Sequence, residues 1–353
     1  MNSKQILQNW TQQNHLSSLE LEVLLQEELA NINQCQAFEI TESNGLEKIK
    51  YRAKLFKKTH KEVEKKSQEL GLKKKDILSI LWKFWLPLSI QLAEKKNKLE
   101  RPLIQGILGG QGTGKTTLSK ITHLILKHLG YTTIDISIDD LYKTYAERQK
   151  LKEIDPRFIW RGPPGTHDVE LGINILDKLR DPNNSQPISI PRFDKSLWLG
   201  EGDRIESEII DQADIVLFEG WFVGVRPIEE TKFDQSPDPI KTEKDQQFAK
   251  YINQKLKDYL PLWERLDRLM ILYPIDYHLS KQWRKEAEQK MIALGKTGMS
   301  EQEIDDFVDY FWKSLHPELF ITPLLQNSTL VDLVIEINPD HSLGNIYNTY
   351  YKK

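Results

Sequence analysis

The sequence predicts an α/β fold in which a parallel sheet is flanked by helices and preceded by an all-helical N-terminal region. Residues 1–98 are dominated by Lys, Glu, Gln and Leu, and glycine occurs there only at Gly45 and Gly71. From about residue 100, short apolar runs alternate with helical patterns, as is typical of parallel strands covered on both faces. We therefore divide the chain into a helical N-terminal region, 1–98, and an α/β domain, 99–353.

Composition and charge exclude several classes of protein. The net charge of −3 and the isoelectric point near 6.3 give no sign of a nucleic-acid or membrane partner. The single cysteine, Cys35, excludes an internal disulfide and fits a reducing compartment. The longest apolar stretch, 80–93, is too short to span a bilayer and is interrupted by Lys83 and Pro87. We expect a cytoplasmic protein, and its oligomeric state stays open.

The lysine-rich stretch 48–75 has two interpretations. It is either a surface for an anionic partner or a solvated helical face with interspersed glutamates. The second is the commoner use of such a pattern, and we expect it here.

Five apolar runs are predicted to be buried strands. They are 101–110, 131–138, 214–220, 267–274 and 331–339. Apolar residues recur at helical spacing from Leu118 to Leu129, and Gly130 follows as a stop signal. Two stretches are predicted as loops: 160–168, with two prolines and two glycines, and 229–247, which is long, polar and expected to be mobile.

The glycine-rich stretch "GILGGQGTGKTTLSK", 106–120, separates the first strand from this helix and matches G-x-x-x-x-G-K-[ST]. Glycines permit the positive φ values of a turn whose backbone N–H groups converge on an anion, and the helix dipole points its positive end there. Lys115 adds a charge for the β- and γ-phosphates, and the Thr116 hydroxyl can ligate Mg²⁺. The pattern predicts a P-loop NTPase-type fold that binds a nucleoside triphosphate with Mg²⁺. The expected nucleotide-binding residues are Gly109, Gly110, Gln111, Gly112, Thr113, Gly114, Lys115, Thr116 and Thr117.

Acidic residues end two of the predicted strands. Glu219 ends the third strand, where it would face the ligand crevice and hold a metal-bound water. Asp139 and Asp140 close the second strand. This pair could cap the following helix or provide the base for a substrate hydroxyl, and the spacing alone leaves both roles open.

These features, in this order, resemble the P-loop small-molecule kinases related to uridine kinase, pantothenate kinase and phosphoribulokinase. The S-x-D-x-[FL]-Y segment of that group is matched by Ser137, Asp139, Leu141 and Tyr142. The resemblance implies that Asp139, and not Asp140, is the catalytic base. It also implies that the segment "PRFDKS" contributes to the acceptor site through Asp194.

Several further segments, from about residue 100 to the end, resemble D-glycerate 3-kinase of the cyanobacterial and plant type. They are "RGPPGTHD", "PRFDKSLWLGEGDR", "FEGWFVGVRP", "YLPLWERLDRL", "WRKEAE" and "FWKSLHPELF". The resemblance implies transfer of the γ-phosphoryl group of ATP to the 3-hydroxyl of D-glycerate, a photorespiratory salvage step in a phototroph. The N-terminal helical region does not carry the resemblance, and we assign it no role.

The acceptor implied by this resemblance is a small anion, which cations in the glycine- and proline-rich loops between the second and third strands would bind. The expected acceptor-site residues are Asp139, Tyr142, Arg161, His167, Arg192, Asp194, Lys195 and Arg204. His167 would hydrogen-bond a glycerate hydroxyl. Which of the four cations binds the carboxylate stays open at this point.

The basic segment 278–291 lies where the related kinases have a lid. The resemblance assigns Arg284 to the charge on the transferring phosphoryl group, so that Lys115, Asp139 and Arg284 form the expected catalytic set. The alternative is a solvated amphipathic helix. No His/Cys cluster has metal-ligand spacing, so the expected metal is nucleotide-borne Mg²⁺ near Thr116 and Glu219.

Two other functions remain open. One is the same chemistry on another acceptor, such as a nucleoside, pantothenate or a sugar phosphate, since the fold and the donor site are shared. The other is an ATP-dependent regulatory switch that binds a protein partner. Guanine specificity is not expected, because the one near match to N-K-x-D, "NKLE" at 97–100, precedes the phosphate loop and ends in Glu.

Overall fold

The structure is a computed structural model that describes residues 2–12, 17–293 and 298–351. The first part of the chain is helical, as predicted. It consists of α1 (Ser3–Gln12), α2 (Ser18–Leu29), α3 (Ile32–Ala37), α4 (Gly45–Glu69), α5 (Lys74–Ile80), a π-helical turn (Leu81–Trp85) and α6 (Leu86–Lys96). A buried ion pair joins α2 to α4, with Arg52 Nη1 lying 2.7 Å from Glu28 Oε2. Polar residues cap helix ends. At the start of α3, for example, the Asn31 side chain accepts a hydrogen bond from the backbone N–H of Gln34.

A six-stranded sheet forms the centre of the molecule, in the order β2–β5–β1–β6–β7–β8. Its strands are β1 (Leu103–Gly109), β2 (Thr133–Ser137), β5 (Ile215–Gly220), β6 (Arg268–Pro274), β7 (Leu333–Ile337) and β8 (Leu343–Tyr347). The first five are parallel and correspond to the five predicted runs. The antiparallel edge strand β8 was not predicted, because "LGNIY" is short and only partly buried.

Helices connect the parallel strands. They are α7 (Lys115–His128), α8 (Tyr145–Ile154), α9 (Val169–Arg180), α10 (Glu243–Lys255), α11 (Leu260–Trp263), α12 (Leu279–Ala293), α13 (Glu301–Ser314) and α14 (Pro317–Phe320). The predicted helix after the phosphate loop is α7, and Gly130 follows it with a φ of +89°. Glycine adopts this left-handed conformation without strain, and the prediction that the helix ends before Gly130 is confirmed.

Apolar residues pack on both faces of the sheet. On β5, Ile215 and Leu217 face a cluster that contains α7 and the N-terminal helices, whereas Val216 and Phe218 face the opposite cluster. This alternation is the period of two of a strand buried on both sides. The N-terminal helices therefore share their hydrophobic core with one face of the sheet.

Two regions predicted as loops contain regular structure: the region between the second and third predicted strands, and the stretch 229–247. Strands β3 (Ile188–Asp194) and β4 (Asp203–Ile210) form a separate antiparallel hairpin. The hairpin was missed because β4 is half-buried or exposed throughout and so has no apolar run. The stretch 229–247 is not a mobile polar loop: it contains a 3₁₀ turn and the start of α10, and Phe233 and Ile240 anchor it in the core.

Among the residues that the structure describes, no helix combines the length and the apolar composition that crossing a membrane requires.

Candidate active site

A cleft of about 500 Å³ opens where the carboxyl ends of β1, β2 and β5 meet. It contains eight of the residues that the sequence singled out. They are Gln111, Gly112, Lys115, Thr116, Asp139, Tyr142, Glu219 and Arg284. Two of the four candidate acceptor-binding cations, Arg161 and Lys195, also line it. Parallel strands bring their carboxyl ends to one edge of the sheet, which is why residues so distant in sequence converge here.

The phosphate loop runs from the end of β1 to the start of α7. Gly112 and Gly114 have φ values of +78° and +88°, in the left-handed region that glycine adopts without strain. Gly109 is required by close approach, because a Cβ there would lie 2.6 Å from Thr113 Oγ1. The loop therefore has the backbone conformation of an anion-binding turn at a helix N-terminus.

Lys115 lies largely buried at the base of the cleft. Its Nζ donates a hydrogen bond to the carbonyl oxygen of Gly110 at 3.0 Å and lies 3.9 Å from Glu219 Oε2. Burial lowers the pKa of this lysine, while Glu219 and Asp139 counteract that effect. A desolvated cation so placed is suited to bind phosphate oxygens.

Glu219 and Thr116 fit the expected Mg²⁺ site. Glu219 Oε2 is buried and has no hydrogen-bond partner among the described residues, so this oxygen is available to a metal ion or to a metal-bound water. Nowhere in the described parts of the chain do three His, Cys, Asp or Glu residues come together as a metal site. That donor set suits Mg²⁺, which commonly binds through few protein oxygens, substrate phosphates and waters.

Gly112 also contacts the segment predicted as a lid. A Cβ on Gly112 would lie 2.7 Å from Trp283 Cβ on α12, which side-chain rotation cannot relieve. Gly71 has a similar φ of +86° but open space around it. We expect Gly71→Ala to cost about 1 kcal/mol and Gly112→Ala about 1–3 kcal/mol more, because only the second adds a clash to the backbone strain. Urea unfolding of both variants measures this difference, and equal costs would show that α12 is not packed on the loop.

The acidic pair after β2 divides into two roles. Ser137 lies opposite Glu219 in the sheet, and the chain then forms a 3₁₀ turn, Ile138–Leu141. Asp140 caps this turn by accepting a hydrogen bond from the Ser137 N–H at 3.0 Å, and it pairs with Arg192 at 2.9 Å. Asp139 instead lines the cleft. The capping role and the cleft-facing role thus both occur, on different residues.

Asp139 is held as an anion. Burial alone would raise the pKa of this carboxyl group, but the Lys195 ammonium group and the Tyr142 hydroxyl hold it below its ordinary value. Lys195 Nζ lies 2.5 Å from Asp139 Oδ2. At neutral pH Asp139 is therefore ionised and able to accept a proton.

Arg161 and Lys195 are the acceptor-side cations that reach the cleft. The guanidinium group of Arg161 donates hydrogen bonds to the carbonyl oxygens of Gly200 and Glu201, at 2.6 and 2.9 Å. Among the described residues, no carboxylate lies within ion-pair distance of Arg161. Lys195, which follows β3, has 61% of its side chain exposed. Both cations are thus available to an anion entering the cleft.

The other candidate cations support the surrounding structure. Arg192 lies on β3, where its guanidinium group binds Asp140 and Glu208. Arg204, on β4, donates to the carbonyl oxygen of Tyr142 at 2.8 Å and pairs with Asp168 at 3.2 Å. Neither lines the cleft, because the hairpin directs them toward these partners. The prediction that they lie in loops was wrong.

Asp194 and His167 also lie outside the lining of the cleft. Asp194 accepts hydrogen bonds from the Ser196 backbone and hydroxyl, at 2.8 and 2.7 Å, and so stabilises the turn after β3. His167 is almost fully buried beneath the ring of Tyr142 and hydrogen-bonds to Tyr259.

The segment 278–291 lies almost entirely in α12, and its cations Lys281, Arg284 and Lys285 differ in orientation. Lys281 pairs with Asp309 at 2.6 Å and Lys285 with Asp305 at 3.1 Å, which ties α12 to α13. Arg284 lines the cleft, where its Nη2 lies 3.1 Å from Glu288 Oε2. Of these three, Arg284 is the one placed to reach a ligand in the cleft.

Sequence reasoning missed the aromatic wall of the cleft. It consists of Trp160, Trp221, Trp283, Phe307 and Phe311. Trp283 also stacks on His341 at 4.6 Å and donates a hydrogen bond to the carbonyl oxygen of Pro339, in the loop after β7. The signal was weak, because aromatic residues at helical spacing are usually core residues.

No family model matches the chain. A Schizosaccharomyces pombe protein described as "Uncharacterized kinase mug58" is 32% identical over 231 residues, which cover 63% of this chain and 83% of that protein. The chloroplastic D-glycerate 3-kinase of Arabidopsis thaliana is 29% identical over 261 residues, covering 68% of this chain and 55% of that protein. The chain thus spans about half the length of the plant relative.

A solved structure extends this similarity to the fold. D-glycerate 3-kinase from Cryptococcus neoformans var. grubii superposes with a TM-score of 0.65 at 26% identity, covering 74% of this chain and 96% of that one. The phosphate loop, the parallel sheet and the sequence identity to the S. pombe kinase all indicate the same family. The chain belongs to the family of ATP-dependent P-loop small-molecule kinases that includes this yeast kinase and the D-glycerate 3-kinases of plants and fungi.

Proposed function

We propose that this kinase phosphorylates the 3-hydroxyl group of D-glycerate. The observation that carries the proposal is the pairing of Asp139 with Lys195, with Arg161 on the same cleft wall. An acceptor for this site needs a hydroxyl group for Asp139 and an anionic group for the cations. D-Glycerate has both, and two relatives carry its name.

The proposed reaction is a direct phosphoryl transfer. The acceptor 3-hydroxyl loses its proton to Asp139 as its oxygen bonds to the γ-phosphorus of ATP, and the bond from that phosphorus to the bridging oxygen breaks to release ADP. Lys115 and Arg284 stabilise the charge on the transferring group, while Arg161 and Lys195 hold the acceptor carboxylate. The aromatic wall limits access of water.

Mg²⁺ is part of the proposal. Thr116 and Glu219 are the residues that would hold it with the nucleotide, and the fit rests on the unsatisfied Glu219 oxygen. When bound, Mg²⁺ neutralises charge on the β- and γ-phosphates.

We further propose that residues 99–353 form the kinase domain and that the segment 278–291, most of α12, acts as its lid. The N-terminal helices cover one face of the sheet, which is the role the packing supports. The cytoplasmic location remains a prediction, since the Arabidopsis relative is named as chloroplastic.

ADP release from MgATP tests the acceptor. D-Glycerate, uridine, pantothenate and ribulose 5-phosphate are offered in parallel, with Lys115→Met as the blank. Turnover with D-glycerate alone is the expected result. Turnover with another acceptor contradicts the proposed substrate and leaves the kinase assignment intact. Nucleotide binding without any acceptor-dependent turnover favours the regulatory switch.

Lys195→Ala is expected to raise the KM for D-glycerate at least about tenfold, equivalent to about 1.4 kcal/mol of acceptor binding, while the KM for ATP changes little. The same change removes the cation that lowers the pKa of Asp139, so the acidic limb of the pH–rate profile moves to higher pH. Lys178→Ala, at an exposed position on α9, is the control. An unchanged KM for D-glycerate assigns the carboxylate to Arg161 instead.

A further inference from the structure

Glu288 is a buried acid on α12 that the proposed reaction does not use. The residue is 4% exposed, and both of its carboxylate oxygens have partners. Oε1 accepts a hydrogen bond from the backbone N–H of Met299 at 3.1 Å, and Oε2 lies 3.1 Å from Nη2 of Arg284. Glutamate is rarely buried so fully unless it is paired, because removing a charge from water is costly. The burial of Glu288 therefore points to a role in holding these two partners.

The guanidinium group of Arg284 is restrained by three contacts. In addition to the ion pair with Glu288, its Nη2 donates a weak hydrogen bond to Met299 Sδ at 3.6 Å. Its central carbon lies over the ring of Phe307 on α13, 5.4 Å from the ring centroid. An arginine side chain has many rotamers, so contacts on an edge and on a face of its planar group are needed to fix one orientation.

Arg284 keeps hydrogen-bonding capacity for a ligand. The contacts with Glu288 and Met299 both use Nη2, whereas Nε is buried and has no hydrogen-bond partner among the described residues. The side chain is 30% exposed and lines the cleft together with Ala287. Because buried donors normally have a partner, an unused donor on a cation in this cleft is suited to an anionic oxygen.

The ion pair with Glu288 differs from the other ion pairs of α12. Lys281 and Lys285 pair with acids of α13 whose side chains are about one-third exposed. Exposed ion pairs are screened by water and restrain their side chains weakly. The carboxylate of Glu288 is buried, so moving Arg284 away would leave a charge unpaired in the interior. This pair therefore holds the guanidinium group more firmly than an exposed pair would.

We propose that Glu288 is a positioning residue: it holds the guanidinium group of Arg284 in the cleft, oriented to stabilise the charge on the transferring phosphoryl group. A cation fixed in place needs no reorganisation as that charge develops. This inference rests on the proposed function, in which Arg284 contacts the transferring group. Glu288 does not line the cleft and acts through Arg284.

Glu288→Gln is the main test, because the amide oxygen can still accept the hydrogen bond from Met299 while the charge that pairs with Arg284 is lost. We expect kcat to fall about tenfold, with the KM for D-glycerate within about twofold of the wild type. Glu286→Gln is the matched control, since Glu286 lies on the same helix outside the cleft lining and accepts a hydrogen bond from Gln282. An unchanged or higher kcat in Glu288→Gln would overturn the proposal.

A double-mutant cycle distinguishes positioning from support of the fold. If Glu288 acts through Arg284, then Glu288→Gln should change the single-turnover rate by less than about twofold once Arg284→Met is present. A further tenfold loss in that background would show that Glu288 acts independently of Arg284, which contradicts the proposal.

Nitrogen-15 relaxation of the Arg284 side chain in the free protein does not depend on the acceptor, and the spectrum of Arg284→Met assigns its signal. The order parameter of the Nε–H group should exceed about 0.6 in the wild type and in Glu286→Gln, and should fall below this value in Glu288→Gln. An unchanged value in Glu288→Gln contradicts the inference. So does a wild-type group that is already flexible, even if Glu288→Gln fails to fold. If D-glycerate is not phosphorylated, the proposed function fails, and the relaxation data still decide whether Glu288 holds Arg284.

Discussion

Lys115→Met is expected to lower kcat about 10³-fold, equivalent to about 4 kcal/mol of lost transition-state stabilisation. The Nζ of Lys115 lies at the base of the cleft, 3.0 Å from the carbonyl oxygen of Gly110, where phosphate oxygens would enter the turn. Methionine keeps an unbranched side chain and removes the ammonium group, with its charge and its hydrogen bond to Gly110. The measurement is the steady-state rate of ADP release at saturating MgATP and D-glycerate.

The same substitution should leave the protein at least as resistant to unfolding. Burial lowers the pKa of Lys115, so the folded state bears a cost for keeping the ammonium group charged, which Glu219 offsets only in part. Removing the charge removes that cost. We therefore expect an unchanged or higher Tm, together with the loss of activity.

Lys127→Met is the control for this experiment, because Lys127 is an exposed lysine in the last turn of the same helix. It should alter kcat by less than about twofold, as surface substitutions away from a site usually do. A Lys115→Met protein that retained a tenth or more of the wild-type rate would contradict the role of the phosphate loop. A Tm lowered by about 5 °C or more would show instead that Lys115 stabilises the fold.

The parts of the site that follow from local sequence were predicted correctly. The phosphate loop is a continuous stretch whose glycines have the φ values that their pattern implies, as Gly112 and Gly114 show. The strands β1 and β5 were recognised because they are buried on both faces and so form apolar runs. Strand β2 was recognised because its buried isoleucines alternate with half-buried polar residues. Because these strands are parallel, their carboxyl ends lie at the same edge of the sheet.

The parts that depend on tertiary structure were not predictable in this way. Arg161, Arg192, Lys195 and Arg204 were equivalent in sequence, but the β3–β4 hairpin directs Arg192 and Arg204 to Asp140 and Asp168 and leaves the other two in the cleft. The hairpin itself has little buried apolar surface on β4 and so produces no strong pattern. The buried hydrogen bond between His167 and Tyr259 joins residues 92 positions apart, and no local pattern indicates such a contact.

Asp139→Asn is expected to lower kcat about 10³-fold or more with little change in the Kd for ATP. General-base catalysis contributes about 10²–10⁴, and the amide also cannot form the ion pair with Lys195 that orders the acceptor side. The measurements are single-turnover rates with D-glycerate and the binding of a non-hydrolysable ATP analogue. They separate chemistry from nucleotide binding.

Asp140→Asn provides the control, because Asp140 is the adjacent aspartate but caps the 3₁₀ turn and binds Arg192. Asparagine can still accept the hydrogen bond from Ser137, so we expect kcat within about threefold of the wild type. Equal losses in the two variants would show that the turn, and not the carboxylate of Asp139, is what the reaction requires.

The lowered pKa of Asp139 determines how activity should depend on pH. The pKa of Asp139 is lowered, so the base is ionised above the ordinary carboxyl value of about 3.9 and activity is lost only as pH falls through the lowered value. Its contribution to stability has the same sign, present above the unfolded-state pKa and lost on acidification. Asp139→Asn should therefore abolish any acidic limb due to this group, whereas Asp140→Asn should leave it in place. An acidic limb that survives in Asp139→Asn must come from another group, and positioning alone would then have to explain the role of Asp139.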